Sequence, residues 1–326
     1  VVKFKSFLSS ALAGLAAVLF ACAAQAGAVG FQSLTVPQPG GGTMEVAVWY
    51  PTDAAPKDSP VATFIQTVAV DAAPSPGVRP LVVISHGNGG SLTSHADTAF
   101  ELAKAGFVAA SLSHPGDTYK DQSGAVDIAN RPVQLKALVD YMVRDWSGHD
   151  RIDPARIGAF GFSAGGFTVL TLVGGEADLM RFGPHCRQHP DYYDCRLIAK
   201  STHRPSVKAA WAHDARIKAA VVAAPALGFA FTEESLAGIK APIQLWRADE
   251  DQILPPADYA DVVHAALPGA EFHGVANAVH LDFLAPCSDI LRKAEPFICT
   301  SRPGFDRIAF HKDLNARIVR FFKDRL

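Results

Sequence analysis

The feature that most constrains how this chain can fold is a glycine–serine cluster set between a strand and a helix. Gly161-Phe162-Ser163-Ala164-Gly165-Gly166 follows the apolar run Ile157 to Phe162 and opens the apolar helical run Ala164 to Val173. A serine held above the end of a strand needs a sharp, strained turn. Gly161 and Gly165, lacking side chains, let neighbouring elements pack close to that residue. The start of the helix offers free N–H groups and a partial positive charge. Gly-x-Ser-x-Gly alone is a weak pattern. In a strand–turn–helix context it predicts a nucleophile elbow, with Ser163 as the nucleophile.

The rest of the chain supplies the sheet that such a turn requires. Phe31 to Val36 and Met44 to Tyr50 alternate apolar residues around Gly40-Gly41-Gly42, which predicts a hairpin. Pro51 to Pro80 is rich in Pro, Ala and Asp and reads as a surface loop. Leu81 to Ile84 is a short continuous apolar run, as in a strand buried on both faces. Helices are expected over Thr98 to Ala105, Pro132 to Trp146 and Asp306 to Phe322. Strands are expected over Phe107 to Leu112, Ala219 to Ala224, Ile243 to Trp246 and Ala270 to Val275. This alternation predicts an α/β fold, a mostly parallel sheet with helices on both faces. Gly174 to Pro205 interrupts it and reads as an insertion over the top of the sheet, either a plain loop or a lid.

Two further strand ends carry chemistry. His86-Gly87-Asn88-Gly89-Gly90 directly follows the strand LVVIS. Glycines there let backbone N–H groups turn toward a substrate oxygen, and the N–H groups of Asn88 and Ala164 are the expected oxyanion hole. His86 is expected to be structural beside that loop. Asp249-Glu250-Asp251 follows the strand IQLW, and His280 lies downstream. A serine hydroxyl needs a base, and the base needs an orienting carboxylate. Ser163, Asp251 and His280 provide all three, with Asp249 as the alternative acid and Asp282 too near His280 in sequence to orient it. His86, His114, Phe162 and Leu281 are the candidates for the substrate pocket, with Phe229 and Phe231 as wall or core.

The N-terminus and the cysteines bear on location. Residues 1–26 have Lys3 and Lys5 ahead of an apolar run and end in Ala24-Gln25-Ala26, which reads as an export signal cleaved after Ala26. A lipid anchor at Cys22 is the less favoured alternative, because Phe20 fits a lipobox poorly. Residues 27–326 would then form one domain, periplasmic or secreted, without stable membrane insertion. Cleavage leaves Cys186, Cys195, Cys287 and Cys299, an even set that suggests two disulfides in an oxidising compartment. Cys186–Cys195 and Cys287–Cys299 is the expected pairing. The rival is a metal site on His185, Cys186, His189 and Cys195, set aside because Pro184 and Pro190 should break a helix there. The formal charge of −2 implies no broad basic face for nucleic acid.

With these residues in place, the chain resembles the α/β hydrolases. More narrowly it resembles the bacterial predicted dienelactone hydrolases related to platelet-activating-factor acetylhydrolases. The stretches LVVISHGNGG, ELAKAGFVAASLSHPGD, RIGAFGFSAGG and VHLDFLAPC carry the likeness and span most of residues 81–287. The resemblance implies an α/β-hydrolase fold with a Ser163–His280–Asp251 triad acting on a small-molecule ester. Two departures matter. True dienelactone hydrolases carry cysteine where Ser163 stands. The acetylhydrolases can draw their acid from the strand after the elbow helix, and here that strand, AAVVAAPAL, has no carboxylate. The expected activity is cleavage of carboxylic esters of short to medium acyl chain, without metal or organic cofactor. An amidase, a peptidase or a polyester hydrolase would use the same residues, and a catalytically silent binding module is the remaining alternative.

Overall fold

Strand β5 (Arg79–Ser85) shows why the sequence makes a two-sided sheet. In the computed structural model, which describes residues 1–2, 27–202 and 210–326, Leu81 to Ser85 are all buried. Side chains alternate across a strand. Leu81 and Val83 therefore join a core with Leu135, Leu138 and Met142 on one face. Val82 and Ile84 join a second core with Leu102, Ile318 and Phe322 on the other. An unbroken apolar run is what a strand covered on both faces demands.

Among the described residues ten strands form the sheet, in the order β10-β9-β8-β7-β5-β6-β2-β1-β4-β3. β5, β6 (Val108–Leu112), β7 (Ile152–Phe162), β8 (Ile217–Ala223), β9 (Ile243–Ala248) and β10 (Glu271–Val275) run parallel. β1 (Ala28–Pro37) and β2 (Thr43–Thr52) form the expected antiparallel hairpin, with β2 against β6. One face carries α2 (Asn130–Arg144) and α3 (Ala164–Leu172), and the other carries α1 (Ala96–Lys104) and α9 (Arg307–Arg325). α9 opens on Asp306, whose carboxylate accepts from the Ala309 N–H as an N-cap. The remaining helices are short: α4 (Phe182–Gln188), α5 (Tyr193–Lys200), α6 (Glu233–Leu236), α7 (Ala260–Ala266) and α8 (Asp289–Ala294).

Strand order reverses between β5 and β7, because β6 lies on one side of β5 and β7, β8, β9 and β10 lie on the other. In open α/β sheets ligands bind outside the carboxyl ends of the strands at such a reversal. The loop after β5 and the turn after β7 are therefore neighbours, and the loops after β9 and β10 reach toward them.

Two expectations need correction. Pro51 to Pro80 is not a plain loop: it holds β3 (Lys57–Val61) and β4 (Phe64–Val70), an antiparallel pair whose second strand docks in parallel on β1. Pro60 is tolerated because β3 is an edge strand, where a missing N–H on the outer side costs no ladder bond. Nor does Pro184 prevent a helix. It sits in the first turn of α4, where its N–H would have no partner anyway. The insertion thus contains α4 and α5 rather than irregular loop, and His185 and His189 stand with ring centroids 5.0 Å apart. Cys186 and Cys195 are bonded to each other, and Cys287 to Cys299.

The expected export signal lies, but for Val1 and Val2, outside the described residues, as does the end of the insertion beyond residue 202. Among the described residues no helix is long and apolar enough to cross a membrane.

Leu138 projects from α2 into the first core and is fully buried. Leu138→Ala should cost about 2–5 kcal/mol of unfolding free energy. Urea denaturation checks this as a lowered midpoint with unchanged slope.

Candidate active site

The turn at Ser163 is built on two backbone approaches that leave no room for a side chain. A Cβ on Gly161 would stand 2.0 Å from the Gly165 carbonyl oxygen, and one on Gly165 would stand 1.9 Å from the Ser85 carbonyl oxygen. These contacts force the helix down onto β5 and β7 and hold Ser163 at φ 57°, ψ −119°, a conformation an L-residue adopts only under constraint. The Ser163 N–H donates to the Ala223 carbonyl at 2.9 Å, which fastens the turn to β8. Ala164 is the first residue of α3, so its N–H has no acceptor within the helix.

The structure brings Ser163, His280 and Asp251 together from three strand ends. Ser163 Oγ lies 2.9 Å from His280 Nε2, and His280 Nδ1 lies 2.6 Å from Asp251 Oδ2. All three are buried. Asp251 Oδ1 accepts from the Ile253 and Leu254 N–H groups at 3.0 and 2.8 Å, so the carboxylate is fixed at both oxygens. With Nδ1–H donating to Asp251, Nε2 is left free to accept the serine proton.

The other acids are committed elsewhere. Asp249 pairs with Arg247 at 2.8 Å, and Glu250 pairs with Arg302. Asp282 accepts from the Val279 N–H at 2.8 Å and pairs with Arg307 at 3.0 Å, both groups being buried. It does not orient the imidazole, but it fixes the turn His280–Phe283 on which the imidazole is carried. Phe162 backs the ring, with its centroid 4.7 Å from that of His280. His311 of α9 donates from Nε2 to the Asp282 carbonyl at 2.8 Å, tying the same turn to the terminal helix.

The loop after β5 is held by a buried ion pair that the sequence did not announce. Asp117 Oδ1 accepts from the Gly89 N–H at 2.8 Å and from Asn88 Nδ2 at 2.6 Å. Asp117 Oδ2 receives Arg131 Nη1 at 2.5 Å, and Arg131 Nη2 donates to the His86 carbonyl. Arg131 Nε donates to Thr168 of α3 at 3.1 Å, so one guanidinium joins the loop to the helix behind the nucleophile.

The four expected pocket residues are not at the pocket. A cavity of about 300 Å³ opens beside Ser163, and its wall includes Asn88, Ala164, Val126, Leu179, Tyr193 and Leu227. His86, His114, Phe162 and Leu281 do not line it. His86 is fully buried, bonding the Gly87 carbonyl through Nδ1 at 2.6 Å and the His114 N–H through Nε2 at 3.0 Å. His114 is equally buried between Ser85 Oγ at 2.8 Å and Gln134 Oε1 at 2.7 Å. Phe162 packs behind the His280 ring, and Leu281 is a residue of the His280–Phe283 turn itself. Of the other two aromatics considered, Phe231 is core and Phe229 stacks on His185 at 3.6 Å. The insertion supplies part of the wall, through Leu179, Phe182, Tyr193, Leu197 and Ile198 among others.

No protein-family model matches the chain, and no curated protein matches it. Among solved structures it is similar to a ferulic acid esterase from Streptomyces cinnamoneus, with a TM-score of 0.62 at 19% identity. The match covers 94% of this chain and 92% of that one. The likeness shows the fold, an α/β-hydrolase type with a large, mostly parallel sheet flanked by helices.

Two expected outcomes follow from the polar support. Arg131→Ala should destabilise by about 3–5 kcal/mol, because it strands the Asp117 charge in a dry site; chemical denaturation reads this directly. Burial holds His86 and His114 well below the usual histidine range, the Arg131 guanidinium adding to the effect. Burial likewise pushes His95 down to about 3. These groups bind protons in the unfolded chain but not in the folded one as pH falls below about 6.5, so stability is full above that pH and lost below it. The slope should approach about 1.4 kcal/mol per pH unit for each histidine. Urea midpoints at pH 7.5 and 5.5 measure it.

Proposed function

We propose that this protein is an exported serine hydrolase that cleaves carboxylic esters of short to medium acyl chain through an acyl-enzyme. The observation that carries the reading is the unbroken hydrogen-bond path from Asp251 through His280 to a strained Ser163 at a helix N-terminus. A path of this kind serves one purpose chemically: it moves a proton off a weak nucleophile as that nucleophile attacks.

The steps follow from the parts. Ser163 Oγ attacks the ester carbonyl carbon while His280 Nε2 takes its proton. The developing oxyanion is met by the N–H groups of Asn88 and Ala164, each such donor typically worth about 10²–10³ in rate. His280 then gives its proton to the leaving alkoxide. Water, deprotonated by the same nitrogen, attacks the acyl carbon and frees Ser163 with release of the acid. Asp251 keeps the imidazole in the right tautomer and stabilises its charged form. The sequence needs no metal or organic cofactor.

The cavity wall supports an apolar acyl group: Leu179, Leu197, Ile198, Val126 and Leu254 are among its residues. A hydroxycinnamoyl ester, the class named for the structural neighbour, is therefore a sensible member of the test panel. The export reading rests on residues 1–26 and is supported by the two disulfides.

The test is hydrolysis of p-nitrophenyl esters from acetate to dodecanoate, with methyl ferulate, an anilide and a soluble polyester alongside. Turnover should peak at short or medium chains and vanish in Ser163→Ala. Asp251→Asn should lower kcat by about 10⁴. Faster cleavage of the anilide or polyester than of any p-nitrophenyl ester would move the assignment to those classes. No turnover of anything by folded protein would leave the binding-module reading.

A further inference from the structure

The insertion does more than wall the cavity, because one of its side chains reaches the loop that would hold the oxyanion. Tyr193 is the first residue of α5 and lines the cavity. Its hydroxyl donates to Asn88 Oδ1. The other end of the same amide, Nδ2, donates to Asp117 Oδ1 at 2.6 Å. The Asn88 side chain is thus gripped from both ends. Asp117 is held by Arg131, and Arg131 also holds the His86 carbonyl that precedes the loop. Tyr193 is the one member of this chain contributed from above the sheet.

Held at both ends, the side chain tethers the Asn88 main chain to Asp117 and to α5; with the Tyr193 tether gone, the glycine-flanked residue is free to shift as a whole, its backbone N–H included. An oxyanion donor acts only within about 2.7–3.1 Å of where the charge develops, so a small displacement removes much of its effect. The position of Tyr193 is itself fixed: Cys195, two residues on in α5, is joined to Cys186 of α4. Asp194 beside it is buried and accepts from the Tyr259 hydroxyl at 2.9 Å.

We propose that Tyr193 is a positioning residue for the oxyanion loop, acting through the Asn88 side chain, and that the Cys186–Cys195 disulfide holds it in place. The proposal rests on the ester-hydrolase reading above. It makes the insertion part of the rate-determining machinery, with the transition state rather than the bound substrate as the state it serves.

The experiment is a double-mutant cycle of Tyr193→Phe and Asn88→Ala in the full-length oxidised protein. The readouts are ester kcat and KM, the affinity of an alkylboronic acid, and the rate of Ser163 labelling by a fluorophosphonate. Tyr193→Phe keeps the ring in the cavity wall and removes only the hydroxyl. It should lower kcat and the labelling rate by about 10- to 100-fold with KM within about threefold, and weaken the boronic acid in parallel. In the Asn88→Ala background the same change should have little further effect, since the hydroxyl acts through that amide. The double variant Cys186→Ser with Cys195→Ser should reproduce the kcat loss.

Unchanged kcat in folded, labelled Tyr193→Phe protein overturns the proposal, as does a full additive loss in the Asn88→Ala background. A loss confined to KM makes Tyr193 a substrate contact and overturns it too. If wild-type protein neither turns over esters nor accepts the fluorophosphonate, the hydrolase reading fails and takes the proposal with it. If wild type does both, a null result falls on Tyr193 alone.

Discussion

The site depends on how closely two peptide groups can pass one another. The carbonyl of Ser85 presses on Gly165, and the carbonyl of Gly165 presses on Gly161, at separations that exclude any side chain. Those approaches draw α3 down between β5 and β7 and leave Ser163 nowhere to go but the left-handed region. The strain is sustained because the carboxyl-terminal halves of β5 and β7 are buried on both faces, and such cores resist local relaxation. The geometry of Ser163 is a by-product of packing density a few ångströms away.

Around that turn the molecule spends buried polar groups on loops. The loop after β5 hangs on Asp117 and Arg131, and the turn carrying His280 hangs on Asp282, Arg307 and His311. The two loops after β9 and β10 are also stitched together, through the Asp249 N–H to Val275 and the Glu250 N–H to Ala278. Surface pairs of charges contribute little to stability, but buried ones are unforgiving of rearrangement. The arrangement exchanges some stability for precision in where the loops stop.

What could be read in the chain and what could not divides along sequence separation. Ser163, His280 and Asp251 sit in short runs at strand ends, and each run carries its own constraint, so their placement was legible. The sheet was legible for the same reason, through runs such as LVVI. The supporting polar residues were not, because their partners lie far away: Arg131 meets Asp117 and His86, and His311 meets Asp97 and Asp282. A signal did exist. Arg131 continues the buried stripe Leu135, Leu138 and Met142 of α2, and His311 with Asn315 continues the stripe Leu314, Ile318 and Phe321 of α9. A charged or polar residue on an otherwise apolar stripe implies a buried partner. The pocket was not legible either, because nearness in sequence to Ser163 says nothing of direction: Phe162 faces the core that backs His280, and His86 and His114 are buried beneath the loop after β5. Part of the wall comes from an insertion whose helix α4 is masked in the sequence by Pro184.

The outermost strand has a consequence of a different kind. Among the described residues β3 has no neighbour on one side, and a bare edge is an invitation for another chain to add a strand. Its sequence, Lys57-Asp58-Ser59-Pro60-Val61, refuses that invitation. Pro60 removes a donor from the row, and the exposed Lys57 and Asp58 would be forced to lose water on pairing. The hairpin of β3 and β4 thus ends the sheet as well as extending it. A ten-stranded sheet is long enough to template aggregation, and at the β3 end a five-residue strand marks the place where its growth is stopped.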